Sequence, residues 1–569
     1  MISRTRPEGL SDVAVLAFIG CAVGACGSVW LWGGLAGVLF GHGWPNTGIP
    51  ALLGVLIRLP ARISDPARAW PWPARARLPD PEGFYAAFAL LLATAIALLL
   101  ATHRSVMLLR REPGARWAAG GDLRRLRRPR APGSRWRAGE AGRLILGRHR
   151  ARALYAEQRH ALVAFGPPQS GKSAGLAVPA LLEWKGPAVA SSIKTDLLSA
   201  TVARRRRLGN VLVFDPFALA GAGSNTWSPL NGAQTWDGAL EVAWRLASAG
   251  ELDQRGVEGG DFWAIAAEQR LAPLLYTAAR TGAGIEALVR WTYGQGAREL
   301  DQALAQLAGE APDESSLADA HAAYEAVRAF EAQADRTRSS IEATAQALLR
   351  AYRFTRVARS ASSCQITADR LLEEPATLYL IGDAKASRLL RPIFLALLGD
   401  VVDRAYERAT LSGGRLELPL LLCLDEAGNV APLPNLAEVA STAPSHNIQL
   451  VSIFHDLAQA RSRYGRQAET VINSHRARML LPGVADLDTL RYFASLVGEE
   501  EAHEITRTTG AGGTSRSTGH RRRPLIAAEE LRQLPERHAL LIYGRLAPTR
   551  LRLRLWFEDR RLRRLAGNS

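Results

Sequence analysis

The sequence predicts an α/β fold: a parallel sheet with helices on both faces, an all-α insertion, and two apolar helices ahead of it. Three observations predict this. Short, continuously apolar runs recur through much of the chain, as expected for strands buried on both faces. A glycine-rich turn separates one such run from a helical stretch at Gly166 to Ser173. Two long uncharged segments precede all of this.

Those two segments come first in chain order. Val13 to Gly41 contains no charged side chain, and Phe84 to Thr102 is uncharged and dominated by Ala and Leu. Each is close to or beyond the ~20 residues that cross a bilayer as a helix. The spans are placed at about 13–40 and 84–102, within a transmembrane region 1–103. Ile49 to Leu59 is apolar but short and contains Arg58, which suits an interfacial or re-entrant piece. The first run is too long for a signal-peptide core and no convincing cleavage site follows it, so it is expected to stay as an anchor.

Arg4 and Arg6 precede the first span. Arg104, Arg110, Arg111, Arg116, Arg124, Arg125, Arg127, Arg128 and Arg130 follow the second, opposed only by Glu112 and Asp122. By the positive-inside rule both ends face the cytoplasm and 42–83 faces outward. The basic linker, 104–150, reads first as a clamp to anionic lipid, worth about 1 kcal/mol per Arg near the surface. A nucleic-acid contact is its second reading.

The whole chain carries +17, which favours an anionic partner, nucleic acid or phospholipid. Only four of its 71 basic residues are lysine: Lys172, Lys185, Lys194 and Lys385. A general Arg and Ala bias accounts for part of that charge, and it makes each lysine conspicuous. Cys21, Cys26, Cys364 and Cys423 have neither zinc-ligand spacing nor the density of a disulfide framework, and read as small buried apolar residues.

Gly166-Pro167-Pro168-Gln169-Ser170-Gly171-Lys172-Ser173 has the spacing G-x-x-x-x-G-K-S. Ala161 to Phe165 before it reads as a buried strand and Ala174 to Trp184 after it as an apolar helix. A Gly-rich turn between strand and helix aims backbone N–H groups and the helix dipole at phosphate. Lys172 is expected to reach the β- and γ-phosphates of ATP, and the Ser173 hydroxyl to hold Mg²⁺.

A second apolar run ends in Asp425-Glu426. Asp425 is the candidate second Mg²⁺ group, and Glu426 the carboxylate that polarises the attacking water. Further strands are expected at 188–193, 211–214, 377–381, 448–454 and 477–481. Lys194-Thr195-Asp196 and Asp215-Pro216 follow two of them. His455 ends another, where a polar side chain can sense the γ-phosphate. The nucleotide-binding domain is therefore assigned to 151–235 and 375–569, with Lys172, Glu426 and His455 as catalytic candidates.

Residues 236–374 differ in character. Leu271-Leu274-Leu275-Ala278 and Ile341-Ala345-Leu348-Leu349 repeat at helical spacing, so an all-α domain is expected there. Helix breakers cluster at 256–260 and 309–312. Phe262 and Trp263 read as core residues. The insertion contains no metal, nucleophile or triad pattern. Near the C-terminus, Arg507 to Pro524 is Gly-, Ser- and Thr-rich and ends in His520-Arg521-Arg522-Arg523. It reads as a surface loop without regular structure, or as a mobile basic loop that tracks phosphates.

With these pieces placed, nearly the whole chain resembles the type IV secretion coupling proteins, the TraG-like conjugal transfer ATPases with a RecA-like P-loop fold. The resemblance rests on the loop at Gly166, on Ser191-Ser-Ile-Lys-Thr-Asp-Leu197, and on Phe214-Asp-Pro216 with Trp227-Ser-Pro-Leu230. It continues through Asp425-Glu-Ala-Gly428, Phe454-His-Asp-Leu-Ala-Gln459, Tyr464-Gly465, and Arg523-Pro-Leu-Ile526 with Leu531 to Pro535. It implies a homo-hexameric ring on the inner membrane, docked on a type IV secretion channel. Such a ring takes relaxase-bound single-stranded DNA, or a protein substrate, and drives it outward. Two departures stand out. His455 occupies a position where the family usually has Gln, and Ser441 to Asn447 lacks the Arg often used in trans. Arg461, Arg463, Arg476 and Arg478 remain open as substitutes. An FtsK-like DNA pump and a non-hydrolysing substrate receptor are the alternative readings.

Overall fold

The structure is a computed structural model that describes residues 9–109, 114–127, 143–158, 160–221, 223–253, 260–510 and 513–567. The chain divides into two compact units, Met1–Pro113 and Gly114–Ser569. Arg4, Arg6, Arg110, Arg111, Arg128 and Arg130 of the basic segments lie outside the described residues.

In the first unit, helix α1 (Gly9–Phe40) is followed by the short α2 (Ile49–Arg58) and then by α3 (Pro81–Leu109). Gly20–Phe40 and Pro81–Ser105 are long and apolar enough to cross a membrane, by length and composition. Tryptophans tie this unit together. Trp32 Nε1 donates to the Phe84 carbonyl at 2.8 Å, and the Trp70 and Phe84 rings lie 5.1 Å apart. Gly33 is required here, because a Cβ would stand 2.7 Å from the Trp70 ring. Cys21 is exposed and Cys26 half-buried, so the expectation of burial fails for both. Cys26 lines a cavity beside Ile49, Leu52 and Leu53 of α2. Cys423, inside a strand, is buried as expected, while Cys364 is half-buried.

The second unit is built on thirteen strands among the described residues. They are β1 (Ile145–His149), β2 (Arg152–Tyr155), β3 (Ala161–Phe165), β4 (Ala188–Ser192), β5 (Val211–Phe214), β6 (Thr377–Ile381), β7 (Leu420–Leu424), β8 (Ile448–Phe454), β9 (Ala477–Leu480), β10 (Glu499–Gly510), β11 (Gly513–Pro524), β12 (His538–Tyr543) and β13 (Thr549–Arg552). Eleven of them form one sheet in the order β2-β1-β13-β12-β9-β3-β8-β7-β4-β6-β5. From β9 to β5 every pairing is parallel, and from β2 to β9 every pairing is antiparallel. The sheet is thus mixed, with its parallel part in the expected RecA-like arrangement. In β3, Val163 and Phe165 enter one apolar cluster while Leu162 and Ala164 enter the other. The alternation of faces explains why these strands read as continuous apolar runs.

Helices cover both faces. α4 (Val178–Glu183) and α5 (Asp196–Arg206) follow β3 and β4. Between β5 and β6 come α6 (Trp236–Asp253), α7 (Gly260–Arg280), α8 (Gly284–Thr292), α9 (Ala297–Gly309), α10 (Glu314–Glu331), α11 (Asp335–Leu349), α12 (Thr355–Arg359) and α13 (Ala368–Glu373). The long α14 (Ala384–Leu411) leads from β6 to β7. Then come α15 (Leu436–Thr442), α16 (Leu457–Tyr464), α17 (Ala468–Ser474), α18 (Leu487–Val497), α19 (Ala528–Arg532) and α20 (Arg560–Ala566). Phe262 is 58% exposed, which corrects its reading as a core residue; Trp263 packs on the small Ala266–Phe330–Ile341 cluster instead.

Arg507 to Pro524 is also corrected. Gly513–Pro524 is a strand paired along its length with Glu499–Gly510, from Glu499 opposite Pro524 to Gly510 opposite Gly513. The backbone of a Gly/Ser/Thr-rich stretch is satisfied by the neighbouring strand, a pairing that composition alone does not reveal.

Candidate nucleotide site

The loop at Gly166 is shaped by close contacts. β3 delivers it from a fully buried strand, and the Gly166 N–H donates to the Phe454 carbonyl of β8 at 2.9 Å. A Cβ on Gly166 would stand 2.5 Å from Ser170 Oγ and 2.7 Å from Leu481, so only glycine fits. Gln169 (φ 67) and Gly171 (φ 84) turn the backbone through the left-handed region. The helix beyond the loop opens with a π turn over Ser173–Ala177 before α4 begins. The Ala174 carbonyl accepts the Trp556 N–H at 3.1 Å, from the segment after β13. Leu553 and Leu555 of that segment pack where Gly171 and Gly175 leave room.

Asp425 and Glu426 leave the end of β7 in a turn pinned on both sides. The Asp425 N–H donates to the Ser191 carbonyl of β4, and the Ala427 N–H to the Ile453 carbonyl of β8. Glu426 is held at φ 58, a strained conformation for a residue with a Cβ. The turn brings together every side chain expected at the site. Ser173 Oγ donates to Asp425 Oδ2 at 2.6 Å. Lys172 Nζ donates to Glu426 Oε1 at 3.0 Å, and His455 Nε2 lies 3.1 Å from the same oxygen. Pro167, Pro168 and Ser170 complete the loop, and Ser170 Oγ is buried without a hydrogen-bond partner.

The two carboxylates have opposite electrostatics. Burial raises the Asp425 pKa, and the Ser173 hydrogen bond and the Lys172 charge offset this only in part. Burial also works against ionised Glu426. There the hydrogen bonds from His455 and Asn429, with the Lys172 charge, outweigh it and bring the group down to about 2. Glu426 is therefore a fixed anion, whereas Asp425 lacks the positive charge that would favour its ionised form. Asp425 Oδ1 is buried without a partner. A buried carboxylate oxygen beside a serine hydroxyl is a donor set that fits Mg²⁺.

Two participants escape a reading of the sequence. Asn429 Nδ2 donates to Glu426 Oε2 at 3.1 Å, and Gln459 Oε1 accepts the His455 N–H at 2.8 Å. The available signal is Asn429 three residues past Glu426 in a tight turn. The four open arginines are all engaged within this chain. Arg461 binds Glu469 and Asp488, Arg463 donates to the Gly428 carbonyl, Arg476 binds Glu157, and Arg478 donates to the Ile472 and Asn473 carbonyls.

A mixed sheet whose parallel part carries the glycine-rich loop after β3 and the acidic turn two strands away has the RecA-like α/β architecture. Within it the affiliation is specific. Residues 124–568 match the family described as type IV secretory system conjugative DNA transfer, and the chain belongs to that family. A conjugal transfer protein TraG of Escherichia coli is 25% identical over 408 residues, covering 66% of this chain but only 61% of the TraG protein. VirD4 of Rhizobium rhizogenes is 22% identical over 507 residues, 85% of this chain and 71% of VirD4. The conjugative coupling protein TrwB, in its unbound monoclinic form, has the same fold, with a TM-score of 0.58 at 20% identity. That match covers 78% of this chain and 92% of the TrwB chain. TrwB has also been solved with ADP and Mg²⁺, at a TM-score of 0.55 to this chain.

Proposed function

We propose that this chain is a membrane-anchored ATPase of type IV secretion that drives a DNA or nucleoprotein substrate into the secretion channel. The observation that carries this reading is the pair of contacts across the sheet, Ser173 to Asp425 at 2.6 Å and Lys172 to Glu426 at 3.0 Å. They put a phosphate-binding lysine, a metal-type pair and an ionised carboxylate within one small volume. Family membership supports conjugative transfer as the setting. In this reading the chain crosses the inner membrane twice with both ends cytoplasmic, and it works as a homo-hexamer on relaxase-bound single-stranded DNA.

The residues divide the work. Backbone N–H groups of Gln169 to Ser173 and the Lys172 ammonium bind the phosphates of ATP. Ser173 and Asp425 would hold Mg²⁺, which would supply charge neutralisation at the phosphate oxygens. Glu426 is oriented by Asn429 and His455, and its charge polarises the attacking water. Lys172 exchanges Glu426 for phosphate when nucleotide enters, which leaves one Glu426 oxygen able to accept from water. His455 stays beside that oxygen and restrains it.

Glu426→Gln tests this. Steady-state hydrolysis should fall by about 10²–10⁴-fold, the usual contribution of a positioned base, with nucleotide binding retained and transfer lost. Wild-type hydrolysis in that variant would remove Glu426 from the mechanism. Lost hydrolysis with intact transfer would favour the substrate-receptor reading.

A further inference from the structure

Lysine is scarce in this chain, and its placement is not even. Lys172 serves the phosphate loop. Lys194 and Lys385 both stand at the carboxyl edge of the same sheet, on neighbouring strands. β4 and β6 pair in parallel with Ser192 opposite Ile381. Lys194 follows the end of β4 by two residues, and Lys385 opens α14 four residues beyond β6. Both side chains are exposed. Arg388 is exposed one turn further along α14, on the face that Lys385 occupies. Among the described residues none of the three forms an ion pair. Acids share this edge: Asp425 and Glu426 after β7, the buried Asp215 after β5, and two nearer the cations. Asp383 is engaged in capping α14, accepting from the Lys385 and Ala386 N–H groups, and Asp196 is exposed at the start of α5.

Position separates these cations from the nucleotide. The sheet runs β3-β8-β7-β4-β6, so β4 lies three strand spacings from the phosphate loop, about 14 Å, and β6 about 19 Å. That spacing sets them apart from the phosphate loop. They are still mechanically tied to the site, because the Ser191 carbonyl of β4 accepts the Asp425 N–H at 3.1 Å. The choice of residue points the same way. Arginine forks lock a phosphate bidentately, whereas lysine is a point charge on a flexible stem. In a chain that uses arginine almost everywhere, lysine suits a phosphate contact that must be made and released.

Building on the motor reading above, we propose that Lys194, Lys385 and Arg388 form a contact strip for the phosphate backbone of the translocated nucleic acid. The test uses the full chain in lipid nanodiscs and a fluorescent single-stranded oligothymidylate, with binding followed by anisotropy across a salt series. The Lys194→Ala, Lys385→Ala, Arg388→Ala triple variant should bind at least about tenfold more weakly at low salt. Its log affinity against log salt should be shallower by about 2, the slope expected for three lost single-strand phosphate contacts. Affinity for a fluorescent ADP analogue should stay within about twofold, and Lys194→Arg with Lys385→Arg should keep the wild-type slope. An unchanged slope in the triple variant, with wild-type binding intact, overturns the strip and leaves the motor reading standing. A wild-type chain that hydrolyses ATP but binds no oligonucleotide overturns the strip and the DNA cargo together. Loss of ADP-analogue affinity in the triple variant assigns these cations to the nucleotide site and overturns the strip as well.

Discussion

The two halves of the sheet obey different rules. From β9 to β5 the strands are parallel, buried on both faces, and finished at their carboxyl ends by the groups that face ligands. The loop at Gly166, His455, Asp425-Glu426, Lys194 and Lys385 all lie on that edge. From β2 to β12 the strands are antiparallel, and β13 alternates buried and exposed residues. Among the described residues this half contributes no titratable group to the site. It leads instead into the segment Leu553–Trp556, which lies along the phosphate loop and meets it at Ala174. In the proposed function one half carries the reaction, and the other sets how firmly its loop is held. Variants in the two halves should fail in different ways.

The largest effect is expected in the parallel half. Lys172→Ala removes the ammonium that meets the phosphates, so hydrolysis should drop by about 10²–10³-fold or more, with nucleotide affinity falling beside it. His455 and Asn429 still hold the Glu426 carboxylate, but the loss of a buried ion-pair partner should lower the melting temperature as well. Normal ATPase activity in this variant would break the division at its centre.

A stability effect is expected in the antiparallel half. Arg554 is buried and bound to Glu183, the last residue of α4, at 2.8 Å and to Asp559 at 3.1 Å. Removing one partner of such a buried network costs on the order of 3–5 kcal/mol. Arg554→Ala should lower the melting temperature and raise KM for ATP, while kcat at saturating ATP stays near wild type. A selective loss of kcat would show that this half shapes the reaction itself.

The last effect is one of pH and is absent near neutrality. His160, just before β3, and His475, just before β9, are buried, and desolvation brings each from 6.5 down to about 4. Between those values the unfolded chain binds protons that the folded chain refuses. Stability should therefore fall as pH drops from 6.5 towards 4, by about 1.4 kcal/mol per pH unit for each histidine. Glu426 has the same sign lower on the scale. Its contribution is present above about 4.5 and is lost only as pH falls towards 2. Melting curves across pH should lose about half of the upper slope in His475→Asn; an unaltered slope would place the titrating groups elsewhere.

Legibility in the sequence obeys the same division. The expected limits of β3, β5, β6 and β8 agree with the structure because their apolar runs are continuous. β7 starts later than its apolar run, after Pro419, which has no N–H for a ladder. The antiparallel strands are hidden in the sequence. A stretch such as Thr549-Arg-Leu-Arg552 alternates correctly, but arginine is so common here that the alternation has no contrast. Arg507 to Pro524 resembles a loop because strand formation there depends on a partner strand. At the site, loop and acids are visible as spacing. Asn429 is not, since its role arises from the backbone reversal at Glu426, and neither is Gln459, which acts by accepting the His455 N–H.

Phe214 ends β5 and Thr377 begins β6, yet these two strands are immediate neighbours. Everything from α6 to α13 is a detour that departs from and rejoins the sheet at its outermost pair. The detour is docked as well as inserted: Arg245 of α6 binds Asp403 of α14 at 2.8 Å, and apolar residues of α6 and α7 share one core with β3 and β7. A loop closed at the sheet margin is thereby clamped to the long helix that leads towards the acidic turn.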